Sequence, residues 1–477
     1  MARRTKIIAT IGPASDSEAM IKDLAEAGMD VARIGLAHGS LDEAIEKFRR
    51  VRRVEASLAR PIGVMIDLPG PKVRAEHMPE EGLPVDQGDL IHLAPGNSGS
   101  TAAMIHVDHE GLLTDLHVGD RVAFGDGIVM AEVIDRKPDW LEARITHGGL
   151  LQGRPGVHIP SDRLRIASPT PADLHMLDAF IEEGIDMVAV SFVRSAHDIR
   201  RVGVEPHPRG PLVVAKIETR AAVDNLDSII EASGAVMIAR GDLGAEMPIE
   251  ELPHLQKRIL QRCITLGRPA ITATQMLESM VTAPSPTRAE ASDIANAVFD
   301  GSSAVMLSGE SAIGHDPINA VATMARIAAR ADDEFDYDAW GARVHEIAST
   351  MQPHIDDTVT LGMTNAAWRA ALETGASAII CITHTGFTVR SIARFRPEAK
   401  ILGFSSDPQT LRQLTLSWGA IPQALDVDYQ ADNVITRVVE QARENGLIRR
   451  GDLVAVLSGS REYPGQATDS LRLIPIR

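Results

Sequence analysis

Only two cysteines, Cys263 and Cys381, occur in the 477 residues, each in an apolar strand-like or helical context. So few argue against a disulfide scaffold, and buried free thiols in a reducing compartment are expected. Positive charge is not in excess either: 48 basic residues stand against 65 acidic ones, a net charge of −17. Electrostatic capture of nucleic acid or of an anionic membrane is thereby disfavoured, whereas a phosphorylated substrate in a local cationic pocket is not. No apolar run reaches transmembrane length. The basic opening MARRTKIIATIG passes directly into a short strand, without an apolar leader core. A cytoplasmic protein is expected. Repeats of solenoid period and low-complexity segments are also lacking.

What is present is ordinary globular material, 44% hydrophobic with a mean hydropathy of −0.02, in a chain too long for one core. Eight short, almost continuously apolar segments suit strands buried on both faces. They are KIIATIG (6–12), MDVARIG (29–35), PIGVMIDL (61–68), DMVAVSF (186–192), PLVVAKIE (211–218), AVMIARGD (235–242), PAITATQM (269–276) and AVMLSGE (304–310). Amphipathic stretches such as DSEAMIKDLAEAG and PHLQKRILQRCITLG lie between them, each closed by a glycine suited to a C-cap. Eight β-α units imply a closed (β/α)₈ TIM barrel, whose functional groups gather at the C-terminal strand ends. Arg33, Asp67, Ser191, Lys216, Glu218, Arg240, Asp242, Thr274 and Glu310 all fall at such ends.

Between the third and fourth strands the rhythm breaks. Alternating patches such as LIHLA, RVAFGDG and LEARITHG, separated by turn residues, predict an inserted antiparallel β domain over 74–165, barrel-like and placed as a lid. The barrel then comprises 1–73 and 166–345. A C-terminal α/β domain over 346–477 is read from SAIICITH, KILGFSS, AIPQALDV, DLVAVLSG and LRLIPI. Within TRAEASDIANAV, Thr287 and Glu290 have the spacing of a capping box.

The run VVAKIETRAAV, 213–223, carries the most chemical information. Lys216 and Glu218 are two apart at the end of a strand and so share a face. AVMIARGDLG delivers a further carboxylate, Asp242, at another strand end. A lysine with two carboxylates suggests a divalent metal holding an acidic substrate, the lysine facing developing negative charge. A structural ion pair is the alternative for either piece alone.

RRTKIIATIGPAS, AGMDVARIGLAHG, the KIE and ARGDLG strands, ATQMLESM, PSPTRAEASDIANAV, SGE and LSGSREYPG occur in one order over nearly the whole chain. In this the chain resembles the pyruvate kinases. The resemblance implies transfer of the phosphoryl group of phosphoenolpyruvate to ADP, in a cytoplasmic homotetramer. Glu218 and Asp242 match the family's ligands for Mg²⁺ or Mn²⁺, and Lys216 matches the lysine that stabilises the enolate and the transferring phosphoryl group. Thr274 matches the threonine that takes part with water in protonating the enolate. Gly241 and Ser191 match substrate-binding positions, as does Arg33, which with Arg74 would grip phosphates. His38 and Asp126, the latter in Gly125-Asp126-Gly127, match nucleotide-contacting positions. THTGFT resembles the loop that holds a phosphorylated effector in regulated relatives, with Thr383, Thr385, Gly386 and Thr388 presenting hydroxyls and amides; an ordinary turn is the alternative.

Two departures are specific. Potassium-requiring relatives carry R-x-N-x-S-H and an aspartate followed by threonine; here Gly35, Ala37 and Leu68 replace the three oxygen-bearing side chains, and Asp67 stays. Lys72, near Asp67, stands where potassium-independent relatives have lysine. It is expected to be an internal cation replacing K⁺, which should not be required. At the end of the insert a KKGVNLP-like segment reads Arg154-Pro155-Gly156-Val157-His158-Ile159-Pro160, which bears on nucleotide contact rather than on reaction type. Two rivals remain: another metal-dependent, enolate-forming barrel enzyme such as an aldolase or lyase, and a non-catalytic regulator that keeps the fold. ADP dependence separates the first, and intact Lys216, Glu218, Asp242 and Thr274 argue against the second.

Overall fold

A computed structural model describes residues 3–477 apart from 126, 128, 162, 204–209, 350–354, 429–430 and 460–467. Eight parallel strands close into a barrel: β1 (Lys6–Thr10), β2 (Val31–Gly35), β3 (Gly63–Leu68), β4 (Met187–Val190), β5 (Leu212–Ile217), β6 (Ala235–Ala239), β7 (Ala270–Ala273) and β8 (Ala304–Leu307). Closure is made where Lys6 of β1 pairs with Ala304 of β8. All eight expected strands are present. Most stop short of the polar groups that end each expected segment, because those groups leave the ladder. In β6 the chain turns at once into the helix Arg240–Glu246, which carries Asp242 in its first turn.

Side-chain parity explains the architecture. Ile8, Val31, Met65, Ala189 and Val214 belong to one buried cluster inside the barrel. Their neighbours Ile7, Ala32, Ile66, Val188 and Val213 belong to another, shared with the surrounding helices. Two residues beyond the inward set, the same parity brings Thr10, Arg33, Asp67, Ser191 and Lys216 to the interior at the C-terminal mouth. At the opposite end Leu416, from the C-terminal domain, completes the interior cluster. Helix starts follow local sequence: Thr287 Oγ1 accepts from the amide of Glu290 at 3.2 Å and the Glu290 carboxylate accepts from the amide of Thr287 at 2.7 Å, the capping box expected there.

The insert contains a six-stranded sheet in which Leu90–Pro95, Arg121–Phe124, Val129–Arg136 and Leu141–His147 include the three patches read from sequence. Its pairings are antiparallel with one exception. Leu90–Pro95 runs parallel to Ile105–Val107, so the sheet is mixed, because the segment 96–104 carries the chain back to re-enter in the same direction. The C-terminal domain is a five-stranded sheet of β9 (Ala378–Ile382), β10 (Lys400–Ser405), β11 (Ala420–Ala424), β12 (Leu453–Gly459) and β13 (Thr468–Pro475), in the order β11-β10-β9-β12-β13 with only β13 antiparallel. Cys263 and Cys381 are both buried free thiols. Among the described residues no helix is long and apolar enough to cross a membrane.

At the N-terminal end of the barrel, Asp186 is wholly buried beside β4, where Oδ2 accepts from the amide of Val64 at 2.7 Å and pairs with Arg52. Burial outweighs that pairing and pushes its carboxyl from 3.8 to about 6. Between those two values the folded chain holds a proton that the unfolded chain has lost, so the contribution of Asp186 to stability falls as pH rises. Asp186→Asn removes this titration. Chemical denaturation should therefore show the variant gaining about 2 kcal/mol on the parent between pH 4 and pH 7; parallel pH curves would refute the assignment.

Candidate active site

Lys216 is the hub of the barrel mouth. Its Nζ lies 2.8 Å from Ser191 Oγ, 2.8 Å from Glu218 Oε1 and 3.2 Å from Asp67 Oδ1. Burial works to lower its pKa, but the charges of Asp67 and Glu218 outweigh burial and hold the ammonium above its ordinary value. Asp67 is buried as well. Burial favours its neutral form, yet Lys216 and Arg33 overcome this and hold it below the usual carboxylate range. Arg33 reaches Asp67 Oδ2 with Nε at 2.8 Å and Nη2 at 2.7 Å, and Nη1 donates to Thr10 Oγ1 at 3.0 Å. Ser191 Oγ donates to the carbonyl of Leu68 at 2.6 Å, which fixes it as an acceptor for the lysine. The strand-end residues thus form one connected charge network.

Glu218 has no exposed surface; burial, and after it the charge of Asp242, pushes its carboxyl up to about 7 although Lys216 opposes the shift. Its Oε2 accepts from the amide of Phe192 at 2.7 Å, while Oε1 approaches Lys216 and meets no other donor. A buried carboxylate oxygen with a spare lone pair beside a second carboxylate fits a hard divalent cation that takes its other ligands from substrate and water. No cluster of three or more His, Cys, Asp or Glu side chains suited to a metal occurs among the described residues.

Thr274 has φ +66° and Gln275 φ +53°. For a β-branched residue the left-handed region is strained by roughly 1–3 kcal/mol. Arg240 clamps this turn by donating to the carbonyls of Ala273 at 3.2 Å and Thr274 at 2.6 Å, itself anchored on Asp293 at 2.7 Å. Thr274 Oγ1 then accepts from the amide of Gly241 at 3.0 Å. The Gly241 amide is thus satisfied by Thr274. The nearest atoms a Cβ at Gly241 would meet are those of Thr274, at 3.9 Å, an ordinary contact, so protein packing alone does not demand glycine. Glu310 lies buried, accepting from the amides of Leu277 at 3.0 Å and Ser308 at 2.7 Å; its role is to hold loops.

A cleft of about 690 Å³, open to solvent, runs between barrel and insert, with Lys72, Phe192, Gly241 and Asp242 on one side and Gly156 and His158 on the other. Glu246, four residues after Asp242, joins the two walls. It accepts from the amide of Ser161 at 2.9 Å and Ser161 Oγ at 2.8 Å, and lies 3.1 Å from His158 Nε2. Sequence reasoning passed over Glu246, although its place one helical turn from Asp242 was a usable signal. Lys72 is exposed on the cleft wall, and no ion pair among the described residues includes it. The expected proximity to Asp67 gives no contact, because both Asp67 oxygens are taken by Arg33 and Lys216. Arg74 pairs as an isolated bridge with Gly156 of the insert. Partial burial, and then the charges of Arg74, Lys72 and Arg33, holds the His38 imidazole below its ordinary pKa, so the three cations share one field. Asp126 lies outside the described residues.

A family profile described as "Pyruvate kinase, barrel domain" matches residues 2–321, and one described as "Pyruvate kinase, alpha/beta domain" matches residues 362–474. The chain belongs to the pyruvate kinase family. The pyruvate kinase of Clostridium acetobutylicum is 37% identical over 475 residues, 99% of either chain. That of Geobacillus stearothermophilus is 36% identical over 481 residues, all of this chain and 80% of the relative. That of Bacillus licheniformis is 35% identical over 463 residues, 96% of this chain and 78% of the relative. Membership makes the protein an enzyme of the kinase type.

The loop THTGFT connects β9 to the helix Phe387–Ala393. Its Thr383 Oγ1 accepts from the amide of Gly386 at 3.0 Å, and Thr388 Oγ1 shares a hydrogen bond with Thr468 Oγ1 at 2.6 Å. Gly386 has φ +76°, which only glycine adopts without strain. Two of the three threonine hydroxyls are thus engaged within the domain.

Proposed function

We propose that the protein is a cytoplasmic, homotetrameric pyruvate kinase that transfers the phosphoryl group of phosphoenolpyruvate to ADP, giving pyruvate and ATP. The observation that carries this reading is the Lys216 ammonium at 2.8 Å from Glu218 and 3.2 Å from Asp67 on the barrel mouth. The enol P–O bond breaks, an oxygen of the terminal phosphate of ADP forms the new P–O bond, and the enolate left behind takes a proton on carbon. Mg²⁺ or Mn²⁺ bound by Glu218 and Asp242 would supply charge neutralisation for phosphate and enolate oxygens. Arg33, its Nε, Nη1 and Nη2 oriented by Asp67 and Thr10, turns the rim of its guanidinium toward a substrate phosphate. Lys216, held charged by two carboxylates, faces the negative charge that grows as the enolate forms. Thr274, fixed against Gly241, positions the water that protonates the enolate; its own hydroxyl is too weak an acid to serve alone. Arg74, His38 and Asp126 belong to the nucleotide side of this reading. The insert, read as a lid over 74–165, closes the cleft, and Lys72 takes the place of K⁺. A phosphorylated effector at the THTGFT loop belongs to it too, with Thr385 the threonine whose hydroxyl has no hydrogen-bond partner among the described residues.

Pyruvate formation from phosphoenolpyruvate, measured with and without ADP and Mg²⁺, tests the assignment. Turnover should require both. Pyruvate release without ADP would favour another enolate-forming enzyme, and no turnover under any condition a non-catalytic regulator.

A further inference from the structure

Arg268, Arg390 and Arg394 converge on one cavity where the barrel meets the C-terminal domain. Arg268 precedes β7, whereas Arg390 lies in the helix Phe387–Ala393 and Arg394 is its C-cap. All three are buried, at 8%, 2% and 8% exposure. Half-buried arginines elsewhere are paired with carboxylates, and the buried Arg396 is stacked on aromatic rings. Arg33 has Asp67, and Arg52 has Asp186 and Glu55. Arg396 donates to the carbonyls of Val298 at 2.9 Å and Ser302 at 2.7 Å, with Phe335, Trp340 and Trp418 stacked 4.6–5.2 Å from its guanidinium carbon.

Arg390 has no such partner. Its Nη2 donates to the carbonyl of Thr385 at 2.8 Å, but Nε and Nη1 are buried without a hydrogen bond. Arg394 donates through Nη1 to the carbonyl of Thr265 at 3.2 Å, and its Nε is likewise orphaned. No ion pair among the described residues includes Arg390 or Arg394. Burial, and then the charge of Arg268, pushes Arg390 down to about 9; burial alone pushes Arg394 down to about 10. A carbonyl or a water can satisfy an N–H here, but neither cancels a net positive charge in a low-dielectric site. The cavity is less than half the size of the cleft at the barrel mouth, about 330 against 690 Å³ with open solvent included, and its guanidinium lining suits one compact ion. Ser417 Oγ, also buried without a partner, lines the same space.

We propose that this cavity is a binding site for a single small inorganic anion, a halide or a tetrahedral oxyanion such as phosphate, held by Arg390 Nε and Nη1, Arg394 Nε and the Ser417 hydroxyl. Occupancy cancels the buried charge. It also steadies the helix that follows the THTGFT loop, whose C-cap Arg394 reaches the barrel at the carbonyl of Thr265. The inference does not depend on the reaction assigned to the barrel mouth.

Thermal unfolding of the full chain tests it. Sodium gluconate, whose bulky organic anion is a poor match for a compact-ion site, is replaced stepwise by sodium chloride, sodium bromide or sodium phosphate at constant ionic strength. A saturable rise in the midpoint is expected, absent in Arg390→Leu and shifted about tenfold to higher concentration in Arg394→Gln. A rise with chloride and bromide alone assigns a halide, and one with phosphate alone an oxyanion. Should Arg390→Leu not fold, anomalous scattering from crystals of the parent protein grown in bromide or in arsenate should place the ion against Arg390. No saturable rise with any of the three salts, the same rise in Arg390→Leu, or no anomalous peak in the cavity would each overturn the proposal.

Discussion

Lys216→Met is expected to lower ATP formation by at least ~10³-fold while leaving a slow, metal-dependent exchange of the pyruvate methyl protons with solvent. The two effects separate because the network divides the work. Lys216 is the cation held against Ser191, Asp67 and Glu218, so its loss removes the charge that faces the enolate and the phosphoryl group in flight. Thr274, fixed by Arg240 and Gly241, is not touched, and proton transfer at carbon survives. The same substitution leaves two buried carboxylates without their shared cation, a cost on the order of 3–5 kcal/mol. Folding must therefore be checked by circular dichroism before kinetics are compared. Glu218→Gln should fail in both measurements, because it removes a carboxylate from the metal pair. ATP formation at the parent's rate by Lys216→Met would contradict the role assigned to the lysine.

How much of this site the sequence disclosed depends on the range of each interaction. Period-two alternation is local, so placing Lys216 and Glu218 on one face needed only strand geometry, and the barrel then gathered Asp67, Ser191 and Arg33 at the same level. The capping box at Thr287 was equally local. Arg240 was visible as a strand-end charge, but its task of clamping the left-handed turn at Thr274 depends on carbonyls of β7 and on Asp293, 53 positions away. Glu246 was not read at all, since its partners His158 and Ser161 come from the far end of the insert. That Lys72 makes no ion pair with Asp67 has a related cause, because the Asp67 oxygens go to Arg33 and to Lys216, 149 positions away. The orphaned arginines at the domain junction carry no sequence signature, because a missing partner is a property of packing alone.

Lys72 governs the second large effect. Gly35, Ala37 and Leu68 leave too few oxygen ligands to dehydrate K⁺, so turnover in K⁺-free, Na⁺-free buffer should match turnover in K⁺. The ammonium of Lys72 sits exposed on the cleft wall, close enough to act with Arg74 and Arg33 on His38. Its charge therefore reaches the region where substrate phosphates would lie without the side chain being locked in an ion pair. Reversing that charge with Lys72→Glu replaces an attraction for phosphate by a repulsion, and kcat/KM should fall by ~100-fold or more. An exposed arm with no partner carries little of the fold, so the thermal midpoint should barely move. The ligands can also be rebuilt. A Cβ at Gly35 would meet only Arg33 Nη2, at 3.9 Å, which leaves room for Gly35→Asn. Added K⁺ should rescue Lys72→Glu only partly by itself, and more fully when Gly35→Asn, Ala37→Ser and Leu68→Thr accompany it. A strong K⁺ requirement in the unmodified protein would remove Lys72 from this role and leave the membership of the family untouched.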